Sequence, residues 1–206
     1  MIELFASAFA TFFVVIDPPG CAPIFASLTA GATPAHRRAM AIRSVMVAAA
    51  ILFAFAIFGE VFLRALGISL DAFRIAGGVM LFLIALEMVF EKRQERRESR
   101  AEEVKAQPAI EDVSVFPMGI PMIAGPGSIA SAMLLMSRGT GWSESLTVLA
   151  ALGGVLLLTM VALLVAGPLM RLVGHKIEAM ITRVLGVILA ALAVQFVIDG
   201  IRGALS

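Results

Sequence analysis

Two stretches of this chain combine residue types that could hold a small charged solute inside an apolar protein. The first reads Asp17-Pro18-Pro19-Gly20-Cys21-Ala22-Pro23; the second reads Pro117-Met118-Gly119-Ile120-Pro121, then Gly125-Pro126-Gly127-Ser128. Each contains three prolines, which remove backbone donors, so neither is expected to continue an unbroken α-helix. Where a helix restarts after such a break, its first N–H groups are unpaired and carry partial positive charge, which suits an anion such as an amino-acid carboxylate. The restarts are expected at about Ala22 and at Ser128. The carbonyls freed on the other side of each break, together with Asp17, suit an ammonium group, a proton or Na⁺.

The candidate substrate-binding residues are therefore Asp17, Gly20, Cys21, Ala22, Gly125, Gly127, Ser128 and Ser131, with Asp17 and Glu87 as candidates for coupling to a cation. Ser128 and Ser131 lie one helical turn apart, within reach of a bound ligand or of backbone carbonyls. A second reading stands beside each. The prolines could serve only to kink two helices, and Asp17 could cap the backbone that Pro18 and Pro19 leave open. Glu87 and Gln195, near helix ends, could serve packing or the interface. Arg74 and Arg183, about one turn inside their helices, are expected to snorkel to headgroups, and Gly77, Gly78, Gly153 and Gly154 to allow close helix packing.

Catalytic and metal chemistry find little support. Cys21 is the single cysteine, and one thiol without a Cys/His cluster makes no zinc site of familiar spacing. The two histidines, His36 and His175, stand among arginines in connecting segments, without a nucleophile or a paired set of carboxylates. Neither an enzyme nor a cofactor is expected; Na⁺ or a proton would act only as a coupling ion.

The elements that must position these residues are membrane helices. Of the 206 residues, 60% are hydrophobic and 15% charged, with a mean hydropathy of +0.99; soluble domains are about 25% charged. Residues 45–59 and 146–170 carry no charge, whereas 91–112 carries 13 of the 31 charged residues. A net charge of +1 without a basic, aromatic-interleaved stripe excludes a nucleic-acid partner. The expected partners are the lipid bilayer and a small amino acid; oligomeric state stays open. Since about 20 helical residues span the hydrocarbon core, six segments are drawn at roughly 3–31, 42–66, 71–90, 114–137, 145–172 and 179–200. The N-terminal run is read as the first of them, not as a cleaved signal.

Lys and Arg set the orientation. Arg37, Arg38, Arg43, Lys92, Arg93, Arg96, Arg97, Arg100, Lys105, Arg171, Lys176 and Arg183 fall on one side, against Arg64, Arg74, Arg138 and Arg202 on the other. Both termini are thus expected to face away from the cytoplasm. The loop 91–112, with 6 basic and 7 acidic residues, reads as a solvated cytoplasmic linker between membrane halves 1–90 and 113–206.

Those halves resemble each other. Arg74 and Gly77 correspond to Arg183 and Gly186 at an offset of 109, Ala85 and Glu87 to Ala193 and Gln195 at 108, and Pro19-Gly20 to Pro126-Gly127 at 107. With three crossings in each half, the second lies inverted relative to the first, an architecture of secondary transporters that place substrate at the midplane. The fold class expected is an all-α polytopic membrane protein of about six helices in two inverted three-helix repeats, the first helix of each broken.

Three stretches carry a family resemblance: Asp17 through Phe25, the Arg74-Ile75-Ala76-Gly77-Gly78 run with Leu81 to Ala85, and Pro117 through Ile129 with its Ala-Gly-Pro-Gly-Ser-Ile core. By these the chain resembles the MarC family over essentially its whole length. The resemblance implies a multi-pass protein of a prokaryotic inner membrane and transport of small neutral amino acids such as glycine and alanine, coupled to a cation gradient. A channel or exporter for another small polar solute, or a non-transporting membrane protein, are the alternatives. One residue departs from the family pattern: Cys21 stands where Asn is expected, and a thiol is a far weaker hydrogen-bonding group.

Overall fold

The computed structural model describes residues 1–105, 112–137, 139 and 141–205, with backbone alone for 105 and 168–179. The side chains of Lys105, Arg138, Arg171 and Lys176, on which part of the orientation reading rests, that of His175, and residues 106–111 lie outside the described residues. Among the described residues the chain is all-helical: α1 (Ile2–Ile16), α2 (Pro18–Leu28), α3 (Pro34–Ala65), α4 (Leu70–Val89), α5 (Lys92–Lys105), a wide-turned segment Ser114–Ile123, α6 (Pro126–Met136), α7 (Trp142–Leu164) and α8 (Ala166–Leu205). Five spans are long and apolar enough to cross a membrane, α1 and α2 counting as one; the pair Ser114–Ile123 and α6, bent by 52°, makes a sixth.

Both expected breaks are present, and local chemistry explains their form. Asp17 separates α1 from α2 in the left-handed region (φ 58°, ψ 65°), a conformation Asp tolerates better than most residues. In Ser114–Ile123 the residues before proline, Phe116 (φ −128°, ψ 130°) and Ile120 (φ −129°, ψ 128°), are extended, because a following proline crowds the helical conformation. Proline also opens helices. Pro18, Pro34 and Pro126 all stand in a first turn, where a missing N–H costs nothing. Thr33 and Ser69 complete the starts of α3 and α4 by accepting from His36 and Ala72 N–H.

The broken elements are innermost. In the best membrane window 56% of α1–α2 is buried, against 28% for α3, α4 and the spanning part of α8. Seven of the eleven residues of α2 and eight of the eleven of α6 are buried, and the irregular residue of the first break, Asp17, is enclosed by protein, as a lipid environment requires; at the second break Phe116 and Ile120 are exposed. Outward faces carry exposed Phe58, Phe62, Leu157, Val161, Val184 and Val187. The tightest pairing is α4 on α8. A Cβ on Gly78 would lie 2.8 Å from the Ala193 carbonyl, and one on Gly200 2.8 Å from the Asp71 carbonyl, so these glycines bring two backbones together. Gly77 instead makes room for Leu134 of α6.

Several sequence expectations need correction. The joint placed at Gly174-His175-Lys176 is helical backbone, and the turn between α7 and α8 falls at Val165 instead; a Gly-His-Lys triplet looks like a turn but its residues do not forbid helix. Helix α3 begins eight residues before the expected segment, because Thr33 and Pro34 form a strong start. Arg74 pairs with Asp71 at 2.8 Å and donates to the Ser137 carbonyl. Arg183 pairs with Glu91 at 2.5 Å. The stretch 91–112 is not simply a solvated linker, because its first part is α5, packed on α2 and α4.

Asp112 ties the far end of that stretch to α3. Its carboxylate accepts from Ser114 N–H at 2.8 Å and pairs with Arg43. Hydrogen bonding to Ser114, with the Arg43 charge adding to it, holds this carboxyl below its ordinary 3.8. A depressed folded-state value means the contribution is present above about pH 4 and is lost as pH falls through the lower folded value. Between about pH 5 and pH 3 the wild-type thermal midpoint in detergent should therefore fall further than that of Asp112→Asn. Parallel curves for the two proteins would contradict this.

Candidate functional site

The two breaks meet through α5. Asp17 is buried, 1% exposed; its Oδ1 accepts from Gly20 N–H at 3.1 Å and its Oδ2 from Arg97 Nη1 at 2.8 Å. Arg97 reaches down from α5 and is itself buried. Its Nη2 lies 3.5 Å from the Ile16 carbonyl and 3.4 Å from that of Met122. Arg93, one turn earlier, donates to the Val15 carbonyl at 2.6 Å. The carbonyls left open at the end of α1 and ahead of the second break thus find cationic donors, the favoured partners for a helix C-terminus.

The two half-helix starts are chemically unlike. Helix α2 begins at Pro18, four residues before the expected Ala22, and its first turn has no donor to spare. Pro18 and Pro19 lack N–H groups, Gly20 N–H goes to the Asp17 carboxylate, and Cys21 N–H goes to the Asp17 carbonyl. Asp17 therefore does cap its helix, and it holds an ion pair as well. Ala22 is wholly buried within the helix, and the Cys21 thiol donates to the Ile16 carbonyl at 3.5 Å. Gly20 makes space for the ion pair: a Cβ there would collide with the Asp17 carboxylate and lie 2.9 Å from Arg97 Nη1.

Helix α6 is open by contrast. Its cap residue is Gly125, no side chain caps its first turn, and Gly125, Gly127 and Ser128 line a cavity of about 260 Å³. Arg93, Arg96, Arg97 and Arg100 of α5 and Glu87 of α4 line the same cavity, with Glu87 paired to Arg96. Gln195, the counterpart of Glu87 in the repeat reading, is exposed and donates to Asp199 of its own helix. One turn into α6, Ser131 is fully buried and its hydroxyl has no hydrogen-bond partner, a state that buried polar groups rarely keep without a ligand or water. Among the described residues no cluster of three or more His, Cys, Asp or Glu could hold a metal.

The candidate residues therefore divide. Gly125, Gly127, Ser128 and Glu87 share the cavity, Asp17 and Gly20 adjoin it through Arg97, and Cys21, Ala22 and Ser131 are buried without lining it. Sequence reasoning missed the arginines of α5. The signal was present: Arg93, Arg97, Ala101 and Val104 recur at helical spacing, and Arg97, Ala101 and Val104 are buried.

Comparison with known proteins bears on this geometry. A family model described as MarC family integral membrane protein matches residues 2–205. The chain is 38% identical to the UPF0056 membrane protein MJ1677 of Methanocaldococcus jannaschii, over 99% of this chain and 98% of that one. It is 33% identical to the UPF0056 membrane protein YvbG of Bacillus subtilis, covering 98% and 96% of the two chains. The UPF0056 inner membrane protein YhgN of Escherichia coli K12 is 34% identical, with 95% of each covered. No solved structure matches the chain.

Proposed function

Because the chain belongs to the MarC family of integral membrane proteins, we propose that it is a cation-coupled secondary transporter of small neutral amino acids, of the glycine and alanine type, in an inner membrane. One observation carries this reading: a buried carboxylate, Asp17, stands at a helix break beside a cavity that also receives the uncapped first turn of α6. A zwitterion needs an anionic and a cationic partner a few ångströms apart. The Gly127 and Ser128 N–H groups suit its carboxylate, and Asp17 suits its ammonium or the coupling ion. In this conformation the guanidinium of Arg97 occupies the place beside Asp17 that such a cation would take. Solute or ion binding then requires Arg97 to withdraw, which couples occupancy to movement of α5.

The similar breaks at Asp17 and Gly125 support two inverted three-helix halves that rock against each other, residues 1–90 and 113–206, with the 91–112 stretch cytoplasmic and both termini on the other side. Neutral amino-acid uptake tests the proposal. In proteoliposomes with an imposed proton or sodium gradient, labelled glycine and alanine should accumulate, with roughly a tenfold or greater loss in Asp17→Asn and a smaller loss in Ser128→Ala. No accumulation with either ion, from protein shown to be folded, would sink the reading. A channel or exporter for another small polar solute is favoured by a different observation, the four guanidiniums in the cavity wall. Solute flux without any gradient dependence would point that way.

A further inference from the structure

The cavity beside α6 is charged in a way that amino-acid transport does not need. Four guanidiniums line it, from Arg93, Arg96, Arg97 and Arg100, against one acidic side chain, Glu87. Glu87 pairs with Arg96, and the buried Asp17 pairs with Arg97. That leaves two. Among the described residues Arg93 bonds only neutral groups, the Val15 carbonyl and the Met88 sulfur, and Arg100 makes no ion pair. Burial and the like charge of Arg97 pull Arg93 down to about 10, so it keeps its charge at neutral pH. Four guanidiniums against two carboxylates leave an excess of positive charge whose members repel one another, and an anion relieves that repulsion.

The shape of the missing partner follows from the donors. Guanidinium forks match the tetrahedral oxygens of a phosphate, and an uncapped helix start adds N–H groups and partial positive charge on the same side. A volume of about 260 Å³ exceeds a bare phosphate and leaves room for the first carbons of an ester. The arginines directly follow the end of α4, so they stand at the edge of a membrane span, where basic pockets meet lipid headgroups. We propose that this cavity binds a phosphate group, either free or as the headgroup of an anionic phospholipid. Binding does not rest on the amino-acid reading. Its consequence for transport does, since an occupied cavity covers the α6 start to a solute carboxylate.

Calorimetric titration of the full-length protein in neutral detergent tests binding apart from transport. The probes are inorganic phosphate and short-chain phosphatidylglycerol, with short-chain phosphatidylcholine as the zwitterionic control. Saturable binding of inorganic phosphate assigns the free anion; saturable binding of phosphatidylglycerol alone assigns the lipid headgroup. In either case Arg100→Gln, which breaks no ion pair, should weaken binding roughly tenfold, and Arg93→Gln with it still further. Both variants are to be checked for native elution and helicity. Absence of saturable binding by either phosphate probe overturns the proposal, as does undiminished binding in the folded double variant, or phosphatidylcholine binding as tightly as phosphatidylglycerol.

Discussion

Arg97→Ala lowers the thermal midpoint of the purified protein by on the order of 10 °C, and adding Asp17→Asn to it restores a large part of that loss. The expectation rests on the asymmetry of buried ion pairs. Removing one member strands the other in a low-dielectric site, at a cost of about 3 to 5 kcal/mol, whereas removing both charges is far milder. For a chain of this size each kcal/mol corresponds to roughly 2 to 4 °C. Asp17 and Arg97 are both buried, so solvent does little to screen either. Arg97 also serves the Ile16 and Met122 carbonyls, which the double variant leaves open, so recovery is incomplete. Scanning fluorimetry in one detergent decides the matter. A double variant no more stable than Arg97→Ala would show that the carbonyl contacts, and not the Asp17 charge, dominate.

That pair also marks where sequence reasoning stopped. The six spans and two breaks were legible because hydropathy and proline act locally: a charge-free run must face lipid or protein, and Pro117 and Pro121 push the residues before them, Phe116 and Ile120, out of the helical conformation. The start of α2 was misjudged because Pro18 and Pro19 were read as helix breakers, although proline in a first turn begins a helix as readily as it ends one. The role of α5 was hidden by averaging. Six basic and seven acidic residues cancel over 91–112, yet a helix sorts its charges by face. It turns Arg97, Ala101 and Val104 inward and leaves Glu95, Glu98, Glu102 and Glu103 outside. Net charge says nothing about that sorting. Nor could sequence alone show that the Asp17 cation would come from 80 residues away in the same chain.

Of the four glycines expected to allow close packing, Gly77, Gly78 and Gly154 do so and Gly153 does not, a division that yields an expected result of comparable size. Gly78→Val should destabilise the protein by about 3 kcal/mol, near the upper end for overpacking, because the new side chain meets the Val197 side chain and, just behind it, backbone that cannot move aside without parting the helices. A Cβ at Gly78 would sit 2.8 Å from the Ala193 carbonyl and 3.0 Å from the Val197 amide. Helices α4 and α8 must then part along the seam where Gly186 and Gly200 also bring backbone close. Gly153→Ala is the matched control. Its added methyl would find nothing nearer than a Phe53 ring carbon at 3.9 Å, and alanine is the better helix former by about 1 kcal/mol, so the midpoint should hold or rise slightly. Equal destabilisation by the two changes would mean that close approach of α4 and α8 does not hold the fold together. A selective loss in Gly78→Val would place that seam, rather than the exposed helix faces, at the centre of its stability. The same seam fixes the end of α4, and so the place from which α5 sends Arg97 to Asp17.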